Sequence, residues 1–117
     1  MTIYAPKLIA SRSIIFETKP ITFEKYGFVY IWWNKSKNRY YIGSHWGLIT
    51  DGYVCSSYYM LTDYKKNSDS FKRRILTIVE SKQELIEAEQ YWLDKIKPTE
   101  LKTKYYNKSR RSSRRVA

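Results

Sequence analysis

Aromatic and β-branched residues form three short blocks that predict three β-strands. Phe28–Trp33 and Arg39–Gly43 are two of them, and polar residues separate the two blocks. This composition is typical of a β-hairpin. The third block, Phe71–Val79, predicts another strand, whose apolar half is at its end.

The loop of the predicted hairpin determines which side chains share a face, because side chains alternate across a strand. A four-residue loop, Lys35–Asn38, sets Tyr30 opposite Gly43. The same register sets Tyr41 opposite Trp32. Both phenols then point to one side of the sheet, and the glycine leaves open space beside them. We predict that this face forms the floor of a functional site.

Between the hairpin and the third strand, the pattern predicts a loop and a short helix. Ser44–Gly52 reads as the loop, in which His45 lies just past the second strand. The helix is expected over Ser56–Lys66, with Ser56 or Ser57 as its N-cap.

A longer helix follows the third strand. Ser81 and Glu84 form a serine-x-x-glutamate capping box, which satisfies free amide groups at a helix start. The helix is expected to run to about Lys97, because Pro98 stops it. Its apolar arc consists of Leu85, Ile86, Trp92, Leu93 and Ile96.

Glu89 falls in the middle of that apolar arc. Burying a carboxylate costs several kcal/mol unless a cation or hydrogen-bond donors meet it. We therefore predict that Glu89 is a ligand of Mg²⁺ or Mn²⁺, because hard carboxylate oxygens suit these ions. The structural alternative is a core glutamate paired with Lys72 or with an arginine.

The charge of the chain favours a polyanionic partner. The 117 residues have a net charge of +11, and the last 17 carry seven basic side chains and no acidic one. No apolar run approaches the roughly 20 residues of a membrane-spanning helix, and we expect no membrane partner. One cysteine, Cys55, fits a reducing cytoplasm.

Several motifs occur in an order that resembles the GIY-YIG endonucleases. Phe28-Val29-Tyr30 and Tyr41-Ile42-Gly43 resemble the paired motif that names this family. Further segments that resemble the family are Phe71–Leu76, Glu89-Gln90-Tyr91-Trp92 and Tyr106-Asn107.

The resemblance implies an α+β fold in which helices flank a small three-stranded antiparallel sheet. It implies a metal-dependent endonuclease that hydrolyses DNA, with Glu89 holding Mg²⁺ or Mn²⁺ and no small-molecule cofactor. Tyr30 would activate or position the attacking water, and Tyr41 would bind that water or the phosphate. The chain resembles small, phage-encoded, homing-type members, for which the cytoplasm of a host cell is expected.

The sequence departs from the family at an arginine. Many members carry a catalytic arginine about ten residues beyond the second tyrosine, where this chain has Asp51. His45 or Arg73 would supply the missing charge, and His45 is alternatively the general base. Asn107 completes the predicted catalytic set by resemblance, although it could instead cap a turn.

These predictions divide the chain into a 1–26 arm of unassigned role, a 27–108 nuclease-like domain and a 109–117 basic tail that is expected to be disordered. Double-stranded DNA is the expected partner. The residues predicted to contact it are Lys35, Lys37, Arg39, Arg110, Arg111, Arg114 and Arg115.

Two other functions are compatible with the sequence. The first is a catalytically inactive member of the fold that binds nucleic acid without cutting it. The second is an interaction protein that uses its aromatic surface, which would be indifferent to salt and metal. That surface consists of Trp32, Trp33, Trp46 and Tyr58-Tyr59. The target sequence and the oligomeric state are left open.

Overall fold

The computed structural model of the chain describes residues 2–3 and 25–112. Strands and helices follow one another in an α+β arrangement, and two 3₁₀ turns, Ser68–Ser70 and Pro98–Glu100, lie between or after them. Most of the 1–26 arm therefore lies outside the described residues. The elements are β1 (Thr2–Ile3), β2 (Tyr26–Asn34), β3 (Arg39–Gly47), α1 (Tyr58–Lys66), β4 (Phe71–Val79) and α2 (Lys82–Leu93).

The sheet has the strand order β1-β4-β2-β3, and every described pair of neighbours is antiparallel. The predicted three-stranded sheet flanked by helices is confirmed, with β2 at its centre. The short strand β1 adds a fourth strand by pairing with Thr77 and Ile78 of β4. The sequence pattern did not predict this strand.

The hairpin has the predicted register, with Lys35–Asn38 as its loop. Tyr30 pairs with Gly43, and Trp32 pairs with Tyr41. Both strands are longer than predicted. The strand β2 spans Tyr26–Asn34, and β3 runs to Gly47. His45 is consequently part of β3 and does not lie in a loop.

The two faces of the sheet bury separate hydrophobic clusters. On one face, Val29, Ile42 and Leu76 pack with α2. On the other face, Phe28, Tyr30 and Phe71 pack with Met60 of α1. Tyr30 and Tyr41 thus belong to the face that α1 covers, while Glu89 belongs to the helix on the opposite face.

Serine caps start both helices as predicted. Ser57 accepts a hydrogen bond from the amide of Met60, and Ser81 accepts one from the amide of Glu84. The predicted end of α2 at about Lys97 is wrong, because the helix ends at Leu93. A tighter turn follows it, in which the Ile96 amide bonds to the Leu93 carbonyl and leaves Ile96 buried.

One buried hydrogen bond fixes α2 on the sheet. Trp92 Nε1 donates to Thr77 Oγ1 at 2.6 Å. Near the start of the helix, Leu85 packs against Gly27, where a Cβ atom would lie 3.1 Å from the leucine methyl carbons. These contacts set the height and rotation of the helix that carries Glu89. Within the described part of the chain, no helix is long and apolar enough to cross a membrane.

Candidate active site

Tyr30 and Tyr41 lie on one face of the sheet, with their ring centroids 6.3 Å apart. Tyr30 is only 1% exposed. Its hydroxyl rests against Gly43, where a Cβ atom would lie 2.5 Å from that oxygen. The glycine was expected to leave open space, but the buried phenol fills that space. The position of Tyr30 therefore requires a residue without a side chain at position 43.

Both phenols are held in the protonated form. Burial raises the pKa of Tyr30, and the neighbouring Tyr41 and Tyr53 add to the increase. Tyr30 also shares a side-chain hydrogen bond with Tyr53. Burial raises the pKa of Tyr41 to about 12, although a hydrogen bond with Ser56 offsets part of the effect. At neutral pH these two groups are hydrogen-bonding phenols and not phenolates.

His45 forms a second cluster on the same face. Its Nε2 lies 2.7 Å from Asp51 Oδ2. Its ring stacks on Tyr53, with centroids 3.9 Å apart and planes 4° from parallel, and meets the edge of Phe28. A Cβ atom on Gly47 would lie 2.6 Å from His45 Nε2, so glycine leaves room for this arrangement.

Asp51 orients the imidazole of His45. Burial alone would raise the pKa of Asp51, but hydrogen bonds from the Tyr53 amide, from His45 and from the Leu48 amide lower it. The ionised carboxylate beside Nε2 favours a proton on that nitrogen. The other ring nitrogen, Nδ1, makes no hydrogen bond to any described residue. His45 is thus arranged to accept a proton at Nδ1.

Arg73 lies on the tyrosine face, and its neighbour Arg74 is exposed. The Arg73 guanidinium donates to the carbonyl of Ile49 at 2.9 Å and lies 5.6 Å from the centre of the Phe28 ring. Burial lowers the pKa of Arg73, while Tyr30 opposes this effect. Guanidinium groups remain charged in proteins, so Arg73 brings a positive charge within electrostatic range of Tyr30.

Glu89 is 6% exposed on the apolar face of α2. It is an electrostatic neighbour of Tyr41, because its carboxylate raises the pKa of that phenol. Its Oε1 accepts a hydrogen bond from the Ser112 hydroxyl at 2.5 Å. Among residues 25–112, Glu89 forms no ion pair, and its Oε2 accepts no hydrogen bond. The alternative of a glutamate paired with Lys72 or an arginine is not found there.

Residues 109–112 lie along α2 beside Glu89. Gln90 binds this segment twice, by donating to the Arg110 carbonyl at 2.8 Å and accepting from the Ser112 amide at 3.1 Å. The Arg110 guanidinium donates to the carbonyl of Asp94. This part of the predicted tail is therefore packed and not disordered.

The four tail arginines have different surroundings. Arg110 is engaged at the end of α2, and Arg111 is exposed. Arg114 and Arg115 lie outside the described residues.

Asn107 binds the backbone of β3. Its Oδ1 accepts from the Ile42 amide at 2.9 Å, and its Nδ2 donates to the Ile42 carbonyl at 2.8 Å. The preceding segment pairs with the same strand edge, where the Tyr106 amide bonds to the Tyr40 carbonyl. Asn107 therefore acts as a substitute strand partner that fixes the backbone between Tyr41 and Gly43.

The basic residues of the hairpin differ in exposure and in the internal contacts that they make. Lys35 is exposed. Lys37 forms an ion pair with Asp63 at 3.0 Å, although more than half of its side chain stays accessible. Arg39 donates to the carbonyl of Thr103 at 2.7 Å and packs over the Tyr106 ring. Arg39 is thus largely committed to internal contacts.

A groove of about 590 Å³ lies between α2 and the tail, and Ser112, which binds Glu89, is one of the residues that line it. None of the predicted catalytic residues lines it, so it is not the candidate active site. The lining residues are Ile86, Glu87, Gln90, Tyr91, Asp94, Arg111 and Ser112.

Comparison with known proteins agrees with this geometry. The family model described as GIY-YIG catalytic domain matches residues 26–107. The chain belongs to the GIY-YIG family. Searches among curated proteins and among solved structures found no match. The resemblance drawn from the motifs is confirmed, and GIY-YIG domains are nuclease domains that act on DNA.

Sequence reasoning missed four residues that this GIY-YIG domain brings to the site. Tyr53 and Asp51 hold Tyr30 and His45 in place, while Ser56 binds Tyr41 and Ser112 binds Glu89. The sequence places Asp51 only in the predicted Ser44–Gly52 loop. No periodic pattern signals such contacts, because loops and the tail contribute them.

The pKa of Tyr41 predicts a pH dependence of stability. A tyrosine in an unfolded chain titrates near 10, whereas burial raises the pKa of Tyr41 to about 12. Its contribution is fully present below pH ~10 and is lost as the pH rises towards ~12. We expect Tyr41→Phe to make the fall in unfolding free energy over this range shallower by about 2 kcal/mol.

Urea unfolding at intervals from pH 9 to 12 measures this effect, with Tyr91→Phe as the control for losing an exposed phenol. If the unfolding free energies of Tyr41→Phe and of the parent protein fall equally steeply with pH, burial does not raise the pKa of Tyr41.

Proposed function

We propose that this protein is a metal-dependent DNA endonuclease. The observation that carries the proposal is the buried carboxylate of Glu89, which acts electrostatically on Tyr41 and has no basic partner among the described residues. A purely structural core would gain stability from an apolar residue at this position, because an unpaired buried carboxylate is destabilising. A carboxylate within electrostatic range of a hydrogen-bonding phenol suits a cation and a phosphate.

The residues of the site fit a single hard cation. Glu89 Oε2 is the protein oxygen that would hold it, while Ser112 continues to orient Oε1. No cluster of three or more acidic, histidine or cysteine side chains occurs in the described part of the chain. Mg²⁺ commonly uses one or two carboxylates and completes its shell with water and phosphate oxygens. When bound, the ion would supply positive charge to the phosphate as negative charge develops there.

His45 is the group best placed to remove the proton of the attacking water. Asp51 fixes the ring and would stabilise the imidazolium that forms, in the manner of other His–Asp pairs. Tyr30 and Tyr41 have raised pKa values and are poor bases. Tyr41 would instead donate its proton in a hydrogen bond to the phosphate, and the buried Tyr30 would hold Tyr53 under the histidine.

Arg73 would support the site without touching the phosphate. Its charge acts on Tyr30 and can stabilise negative charge at some distance, but its guanidinium is bound to the Ile49 carbonyl. The loop that Arg73 holds also carries Asp51. We therefore assign Arg73 a positioning role and place it outside direct contact with the phosphate.

The net charge of +11 supports a DNA partner. Three of the residues predicted to contact DNA remain accessible within the described part of the chain. They are Lys35, Lys37 and Arg111. Four further statements stay predictions. They are double-stranded DNA as the substrate, a phage origin, a homing-type role and a cytoplasmic location.

An inactive binding module is the second candidate, and one observation favours it. The position where many family members carry their arginine is Asp51, which is committed to His45 and to two backbone amides. If Arg73 cannot replace that charge at the phosphate, the domain binds DNA without cutting it. Cleavage assays separate the two candidates.

Glu89→Gln should abolish cleavage while preserving the fold. The amide keeps an acceptor for Ser112 but loses the charge that attracts a divalent cation, so we expect the rate to fall about 100-fold or more. Nicking of supercoiled plasmid in Mg²⁺ measures this rate. Glu87→Gln, an exposed neighbour on the same helix, is the matched control and should cut like the parent protein.

Equal cutting by the Glu89→Gln variant would refute the metal-ligand assignment. An intact plasmid with the parent protein, across plasmids of several sequences and in both Mg²⁺ and Mn²⁺, would favour the inactive binding module.

His45→Ala should reduce cleavage more than Tyr30→Phe does. Loss of a general base typically lowers a rate by about 10²–10⁴-fold, whereas Tyr30→Phe removes one hydrogen bond to Tyr53 and should cost about tenfold or less. Single-turnover cleavage rates of folded variants measure both effects. A larger loss for Tyr30→Phe than for His45→Ala would reverse the two roles.

A further inference from the structure

Two consecutive tyrosines at the start of α1 are unusually exposed. Tyr58 is 74% exposed and Tyr59 is 55% exposed. Their rings form an edge-to-face pair with centroids 5.6 Å apart. Met60, which follows them, is fully buried and anchors the helix. The tyrosine pair therefore contributes little to the core and presents its rings to the surroundings.

The pair lies at the edge of the candidate active site. Tyr58 is two residues beyond Ser56, so their Cα atoms are at most about 7 Å apart, and Ser56 binds the hydroxyl of Tyr41. On the other side, Lys108 Nζ lies 4.7 Å from the centre of the Tyr59 ring. Lys108 directly follows Asn107, which is bound to the strand that carries Tyr41.

The charge around the pair suits an anionic ligand. Lys65 and Lys66 occupy the last turn of the same helix. Asp63, on that helix, is already bound by Lys37 and by the hydroxyl of Tyr106. Lys108 lies over the Tyr59 ring. A pair of exposed aromatic rings with a cation over one of them matches a nucleobase with its phosphate, because bases stack on aromatic rings while lysine neutralises the backbone.

We infer that Tyr58 and Tyr59 form a stacking site for an unpaired base next to the scissile phosphate. Only a base that has left the helical stack exposes a whole face to a protein ring. The preferred substrates are therefore DNA molecules with a bulge, a flap or a single-stranded stretch at the cut. This inference rests on the proposed function for the position of the phosphate, but the stacking itself needs neither metal nor catalysis.

Binding without metal tests the inference separately from cleavage. Fluorescence anisotropy in EDTA compares three labelled DNAs of one sequence: a perfect duplex, the same duplex with a one-base bulge, and the single strand. We expect the 117-residue chain to bind the bulged and single-stranded DNAs more tightly than the duplex. Replacing both tyrosines by alanine should weaken these two complexes about tenfold or more and change duplex binding less than about twofold.

Tyr91→Ala is the matched control. Tyr91 is also exposed, at 43%, and has Lys95 Nζ 4.4 Å from its ring centre, but it lies on α2. Its loss should change none of the three affinities. The Glu89→Gln variant should keep the preference for unpaired bases even if it cannot cut, so failure of catalysis and failure of stacking give different results.

Three results would overturn the inference. They are equal affinity of the parent protein for all three DNAs, equal weakening of all three by the double alanine variant, or the same selective loss in Tyr91→Ala. Unchanged DNA binding by the double variant would also overturn it, and would point to a protein partner for this surface or to a second copy of the chain.

Discussion

The burial of one carboxylate in the apolar face of α2 is the constraint on which the candidate site depends. Glu89 lies among Leu85, Ala88, Trp92 and Leu93, which pack on the sheet. Among the described residues its carboxylate accepts one hydrogen bond, from the Ser112 hydroxyl, and its charge raises the pKa of the nearby Tyr41. This leaves one carboxylate oxygen available in a place where water is scarce, and such a place strengthens the attraction of a cation.

The two faces of the sheet position different groups of the candidate site. On the α1 side, the tyrosines and His45 are held by hydrogen bonds and by ring stacking, and glycines at 43 and 47 make room for them. On the α2 side, the Trp92–Thr77 hydrogen bond sets the height of the helix. The edge strand β3 joins the two sides, because Asn107 fixes its backbone beside Tyr41. Burial keeps both phenols protonated, and for that reason the proposed function assigns the role of base to His45.

Local patterns predicted the parts of this arrangement that local physics determines. The four-residue hairpin loop fixed the pairing of Tyr30 with Gly43, and the serine caps fixed where both helices begin. Helical periodicity alone predicted that Glu89 is buried. Contacts between distant segments were beyond such reasoning. The His45–Asp51 pair and the Ser112–Glu89 hydrogen bond depend on how a loop and a tail fold back. The early end of α2 coincides with a tight turn that leaves Ile96 buried.

Anomalous diffraction from crystals soaked in Mn²⁺ tests the central claim most directly, because manganese scatters anomalously and reports its own position. The account predicts a peak about 2.0–2.2 Å from a carboxylate oxygen of Glu89, close to Tyr41. Occupied manganese sites elsewhere on the protein, with Glu89 still bound only to Ser112, would contradict it.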